Sequence, residues 1–167
     1  LSDLGFIRRL FPARLAYHAP EDVVYLSQNQ SPDFPGYFRI PLSENQAASF
    51  VRLEHPVLGL ASDPHVRIWM LWDDKFQLLD PGTQEITHSS INISANDPLP
   101  QAFMMKSNKT GWIGALDGNE FVWFHADTQY LHRIKLKDLP GSAYAKSFQN
   151  GFQGFTFNDR NTAYLYS

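Results

Sequence analysis

The chain repeats itself, and the length of the repeat limits what it can fold into. One segment runs from Asp63 through Trp69, Trp72, Asp73, Asp74 and Phe76 to Asp80, Thr83 and Gln84. A second runs from Asn108 through Trp112, Asp117, Asn119, Phe121 and Trp123 to His125, Thr128 and Gln129. Each reads as a polar turn, an aromatic strand headed by Trp, an acidic turn, a second aromatic strand and a polar turn closing on Thr-Gln. Trp69 and Trp112 lie 43 residues apart, and Thr83 and Thr128 lie 45 apart. Weaker copies flank them, with Tyr25 placed 44 residues before Trp69 and Tyr164 placed 52 after Trp112. A period of this size holding about four short strands is that of a propeller blade. One four-stranded blade cannot hide both its faces, so it stacks on the next. A large aromatic in the second strand fills the wedge between neighbours, which assigns Tyr25, Trp69, Trp112 and Tyr164 to blade packing.

Composition agrees with an all-β class. The 167 residues include 13 Phe, 7 Tyr and 4 Trp, which favour strands, and 11 Pro and 10 Gly, which interrupt helices. Alternation and aromatic content place strands near 5–10, 22–27, 36–40, 49–53, 57–61, 66–72, 75–79, 102–106, 111–116, 120–124, 130–136, 153–157 and 162–166. An outer strand fits within 85–100, and Ser43–Ser49 is compatible with a helical turn. No segment is long and polar enough to be a linker, so 1–167 reads as a single all-β region.

The stretch Asn108-Lys-Thr-Gly-Trp112-Ile-Gly-Ala-Leu-Asp117-Gly-Asn119 resembles the signature of two-component regulator propellers. The opening, Gly5-Phe-Ile-Arg-Arg followed by Glu21-Asp-Val-Val-Tyr25, is similar to the way such regions begin. The resemblance departs at Asp63, which has no following Gly, and at both ends, where Tyr stands for Trp. It implies part of a longer propeller forming the periplasmic, or otherwise extracytoplasmic, sensor domain of a bacterial membrane receptor. It also implies a small-molecule or oligosaccharide ligand, with the rest of the receptor as partner and no catalysis in this chain.

Several function classes drop out on composition. The net charge is −3, and the densest basic run, Arg133-Ile-Lys-Leu-Lys137, alternates as the wet face of a strand does. Phosphate-driven nucleic-acid binding is therefore not expected. The absence of cysteine removes thiolate chemistry, Cys-type zinc sites and disulfides. No zinc-helix, phosphate-loop or dinucleotide motif is present, and neither metal nor cofactor is expected. His125-Ala-Asp127 has ligand-like spacing but reads as the polar turn ending a strand.

The candidate ligand residues come from the acidic turns. Asp73, Asp74, Asp117 and Asn119 occupy equivalent turns, which a propeller gathers around one end of its channel. Ordinary turn chemistry also selects these residue types. Trp72 lies out of phase with Trp69, so it points to the opposite face of its strand, where it is available for stacking on a sugar ring. Three alternatives stay open: a closed lipocalin-like β-barrel or sandwich holding a small molecule, a scaffold mediating protein contacts, and a propeller-type glycan hydrolase or lyase using Asp73, Asp74 or Asp117. Counting the markers gives about three and a half blades, fewer than the four to eight that usually close a ring. A part-ring exposes edges and an apolar blade face, so a homodimer is expected of the chain alone.

Overall fold

A computed structural model describes residues 13–28, 35–43, 45–65, 67–72, 75–89, 91, 104–116, 120–138, 154–158 and 162–166. Blade 1 is a meander of β1 (Ala13–His18), β2 (Val23–Gln28), β3 (Gly36–Pro41) and β4 (Ser49–Arg52). Blade 2 comprises β5 (Val57–Ser62), β6 (Ile68–Trp72), β7 (Lys75–Leu79) and β8 (Ile86–His88). Blade 3 comprises β9 (Met104–Ser107), β10 (Trp112–Leu116), β11 (Glu120–His125) and β12 (His132–Lys135). A fourth sheet pairs β13 (Gly154–Phe157) with β14 (Ala163–Tyr166). The pairing is antiparallel throughout, and the first strands neighbour one another in the order β1, β5, β9, β13. This is the radial stacking of propeller blades, and among the described residues no sheet closes into a barrel.

Strand alternation generates the stack. Each blade has a forward face toward the next blade and a rear face toward the one before. Ala16, Val23, Tyr25 and Tyr37 of blade 1 meet Leu60, Ile68, Met70 and Leu79 of blade 2 in one buried cluster. Trp69, Leu71 and Phe76 leave the other side of blade 2 to meet Ile113, Ala115, Val122 and Phe124 of blade 3. Leu116 and Phe121 then meet Phe155 of the fourth sheet. Both faces of β6 are thus buried, which is why Ile-Trp-Met-Leu-Trp is a continuous apolar run. Aromatic rings cross the second interface, with Trp69 and Phe124 centroids 4.8 Å apart and Phe76 and Phe124 4.7 Å apart.

The repeat differs in register from the sequence alignment. Ser62 pairs with Ile68, Ser107 with Ile113 and Phe157 with Ala163, each pair closing a five-residue turn. Asp63, Asn108 and Asn158 open those turns. The N–H of each donates to the carbonyl four residues on, at 3.0, 2.9 and 3.0 Å, and its side-chain Oδ1 accepts the returning N–H at 3.1, 2.9 and 2.9 Å. By this register Trp69 corresponds to Gly114 and Tyr164, while Trp112 corresponds to Arg67. The spacing of 43 residues is therefore corrected to 45, the interval already shown by the Thr-Gln pairs. Gln84 and Gln129 confirm that second phase, both adopting left-handed backbone and both donating N–H to the carbonyl four residues before at 2.8 Å. The two-residue slip preserved the facing, because strand side chains alternate with period two.

All four marker aromatics consequently lie on forward faces. Tyr25 and Trp69 are fully buried, Trp112 is half-buried and Tyr164 is 54% exposed. Tyr25 and Tyr37 reach blade 2 through Gln84. The Tyr37 hydroxyl donates to Gln84 Oε1 and Gln84 Nε2 donates to the Tyr25 hydroxyl, both at 3.2 Å. Burial, helped by the neighbouring Tyr25, pushes the Tyr37 hydroxyl up to about 12 against a smaller opposing effect of Arg39. Strand β1, at Ala13–His18, was not anticipated, and the expected strand at 5–10 lies outside the described residues.

Gly114 occupies the Trp69 position in blade 3. A Cβ there would meet ring carbons of Phe121 and Phe155 at 2.8 Å, so the missing side chain admits a ring from the fourth sheet. Gly114→Ala is expected to lose about 1–3 kcal/mol of stability by overpacking, measured by chemical denaturation. An unchanged midpoint would show that Phe155 does not seat there.

Candidate ligand-binding site

Strand direction separates two ends of the stack. At one end lie the first-hairpin turns, such as 63–67, and the turns between third and fourth strands, such as 80–85. At the other end lie the ends of β6 and β10 and the blade-linking residues 53–56. Of the anticipated ligand residues, Asp73, Asp74, Asp117 and Asn119 lie outside the described residues, while Trp72 is described.

Trp72 is the last residue of β6 and shares a face with Ile68 and Met70. It is half-buried rather than an open platform, because its ring caps the edge of the core between blades 1 and 2. Its Nε1 is shielded from solvent and has no hydrogen-bond partner. The rest of the side chain borders an open cleft of about 850 Å³ together with Pro35, Arg52, Leu53 and Glu54. The His55 ring lies 6.3 Å from the Trp72 ring at an interplanar angle of 52°. Blade 1, the linker and blade 2 therefore each supply part of one recess. An indole edge beside a guanidinium and a carboxylate suits a ligand with an apolar surface and a hydroxyl-bearing rim, since aromatics supply contact area and charged groups supply directed hydrogen bonds.

The opposite end carries a polar network that the sequence hid. Asp63 has a fully buried side chain. Its Oδ1 accepts the N–H groups of His65 and Arg67, and its Oδ2 accepts Arg67 Nε at 2.6 Å and Trp69 Nε1 at 2.9 Å. Arg67 then crosses to blade 3, with Nη2 3.2 Å from Asp127 Oδ1. His65 Nε2 lies 3.5 Å from Asp127 Oδ2. His125 is fixed by its own turn, for the Asp127 N–H approaches Nδ1 and Nε2 faces the Thr110 carbonyl at 2.8 Å. Desolvation works to raise the Asp127 pKa, but the Arg67 hydrogen bond and the charges of His65, Arg67 and His125 outweigh it, so the carboxyl sits below its ordinary value. The His125 and Asp127 spacing is thus part of an inter-blade bracket. Among the described residues no group of three His, Asp or Glu is arranged to hold a metal.

A second recess of about 400 Å³ lies between blade 3 and the fourth sheet, bordered by Trp112, Trp123, Ile134, Phe157 and Leu165 among others. Phe121, Trp123 and His132 stack along its wall at 5.2 and 5.3 Å, each pair 14° from parallel. It follows from the register slip: Trp112 sits two residues before the buried phase, at the blade edge. In the basic run, Arg133 is clamped by both oxygens of Glu120 at 2.8 and 2.7 Å, Ile134 borders this recess and Lys135 is exposed.

Two consequences can be measured. Asp63→Ala removes the acceptor of Arg67 Nε, of the Trp69 indole N–H and of two backbone N–H groups, leaving Arg67 its bond to Asp127. It is expected to lose about 1–3 kcal/mol, the cost of leaving the buried Trp69 N–H unsatisfied, read by urea denaturation. For Asp127 the folded pKa lies below the unfolded one, so its stabilising effect is complete above the ordinary carboxylate range. That effect is lost as pH falls through the depressed folded value. Asp127→Asn should flatten the acid side of a pH–stability profile; an unaltered acid limb would show that the bracket contributes nothing.

Comparison with known proteins gives resemblance of shape at low identity. No family model matches the sequence, and no curated protein matches it. Among solved structures, the hemopexin fold protein CP4 from cow pea is similar at a TM-score of 0.43 and 14% identity, over 92% of this chain and 81% of that one. The extracellular domain of a proposed one-component system from B. thetaiotaomicron is similar at a TM-score of 0.43 and 11% identity, over 91% of this chain. This chain spans 26% of the length of that domain.

Proposed function

We propose that this chain is an extracytoplasmic ligand-binding module of a signalling receptor, binding a small molecule or oligosaccharide without transforming it. The observation that carries the reading is the Trp72 recess, because its walls come from two blades and from the segment joining them. A ligand seated there touches both sides of an interface, so occupancy changes how two blades pack. That is the kind of change a receptor transmits. The sequence resemblance around Trp112 supports the same reading, in which the module is periplasmic or otherwise extracytoplasmic and part of a membrane receptor. The glycan hydrolase alternative needs paired carboxylates in a cleft, and its candidates Asp73, Asp74 and Asp117 fall outside the described residues.

The test is a panel of neutral and acidic oligosaccharides titrated calorimetrically, with reducing ends assayed in parallel. Binding without release of reducing ends is expected. Trp72→Ala is expected to weaken it by about 2 kcal/mol or more, upward of about thirtyfold, with Tyr166→Ala as a control distant from the recess. Turnover would establish an enzyme, and equal affinity in the Trp72 variant would move the site elsewhere.

A further inference from the structure

We infer that a recess at the turn end of the first interface, between blades 1 and 2, is a second binding site that takes a primary ammonium group on an aliphatic stem. It lies at the opposite end of the stack from Trp72 and does not rest on the ligand assigned to that residue.

The recess measures about 520 Å³ and is bordered by residues of these two blades alone. Its blade 1 wall is the first-hairpin turn, which carries His18 and Glu21. Its blade 2 wall includes the 80–85 turn, which carries Asp80 and Glu85.

His18 is the residue that points to a ligand. It closes β1 and is only 5% exposed, yet it borders the recess and its Nδ1 has no hydrogen-bond partner. Glu21 Oε2 lies 3.6 Å from that atom, which is longer than a hydrogen bond. Buried ring nitrogens are ordinarily satisfied, so an unsatisfied one on the wall of a recess marks a place for a donor. In the neutral ring protonated at Nε2, Nδ1 is an acceptor. A ring acceptor beside a carboxylate oxygen suits one group with several donors, and an ammonium carries three. The Glu21 side chain is 31% exposed, so it turns readily to admit such a group.

The charge on the walls selects the same class. Arg67 is the single Lys or Arg bordering the recess, and it is committed to Asp63 at 2.6 Å and Asp127 at 3.2 Å. His65 faces the same Asp127 at 3.5 Å. Arg39 approaches Glu21 at 3.5 Å from outside the recess. Asp80 Oδ1 accepts the N–H groups of Gly82 and Thr83, and among the described residues no cation pairs with Asp80 or Glu85. Three carboxylates against one committed guanidinium leave the recess negative, which attracts a cation and disfavours an anion. Among the described residues no trio of His, Asp or Glu is set to hold a metal, so the cation is organic. Leu78 and Pro81 give its stem an apolar wall.

The test titrates the full chain with n-butylammonium chloride at constant ionic strength and follows the imidazole nitrogen resonances. A saturable shift of the His18 ring nitrogens, assigned with His18→Gln, is expected. n-Butanol and sodium butyrate at the same concentrations should produce none. Glu21→Gln and Glu85→Gln should each weaken binding by about tenfold or more, the loss of a hydrogen bond to a charged group. Asp138→Asn, which removes an exposed carboxylate beyond β12, should leave it unchanged. Absence of a saturable shift would overturn the proposal, as would unchanged affinity in both Glu variants. An equal response to butanol, or equal weakening by Asp138→Asn, would overturn it too, since neither needs an ammonium held at this place.

Discussion

The structure depends on β6 having no wet side. Its five residues bury Ile68 and Met70 toward blade 1 and Trp69 and Leu71 toward blade 3. A half-exposed antiparallel sheet would need polar residues at alternate positions, and this strand has none. Once both its faces must be covered, blades are required on either side, and the innermost strands β1, β5 and β9 are drawn next to each other. The Trp69 side chain alone removes apolar area worth about 3 kcal/mol from water. Its one polar atom would offset part of that gain if left bare. Asp63 Oδ2 accepts it, so the residue that opens the turn also completes the burial of the residue that fills the wedge.

That coupling explains how a repeat persists with so little identity. What recurs is an Asp or Asn whose short side chain reaches the N–H four residues on, at Asp63, Asn108 and Asn158. The intervening residues are constrained only by backbone conformation. Gly111, with φ +90°, serves in blade 3, where a Cβ would press on the His125 ring at 3.1 Å. Blade 2 instead uses Arg67 to reinforce the turn from its side chain. The wedge position tolerates even more. Trp69 fills it from its own strand, while Gly114 leaves it open to Phe155 from the neighbour. The wedge is filled at both interfaces, from blade 2's own strand in one and with a ring of the fourth sheet in the other.

These substitutions mark the boundary of what the sequence reveals. Strand positions were legible because alternation and turn residues are local: twelve of the segments expected between 22 and 166 contain strands at nearly their expected bounds. The all-β class and the blade size followed from them. The register of the repeat was harder, since the eye aligns Trp69 with Trp112 whereas the hydrogen bonds align Trp69 with Gly114. Residue size misleads when a neighbour can supply the volume. The Asp63–Arg67–Asp127 bracket was illegible for another reason, joining residues 60 positions apart through a packing angle that no spacing encodes. The orientation of Trp72 was readable from parity, but its partial burial was not, because Leu53 and His55 come from the preceding linker.

The same geometry bears on the proposed role in ligand sensing. Blade 1 and blade 2 are tied at one end by Gln84, which bridges Tyr25 and Tyr37, and at the other end the Trp72 recess opens between them. Under the proposed function, filling that recess shifts the balance between two packings of these blades. At the interface of blades 2 and 3 the Trp69, Phe76 and Phe124 rings pack together and Arg67 reaches Asp127 across the rim. A ligand that shifts such an equilibrium from 1:99 to 99:1 needs about 5.5 kcal/mol of preference for one packing. For the proposed ligand, aromatic contact with Trp72 and hydrogen bonds to Arg52 and Glu54 are the contacts that would have to supply it.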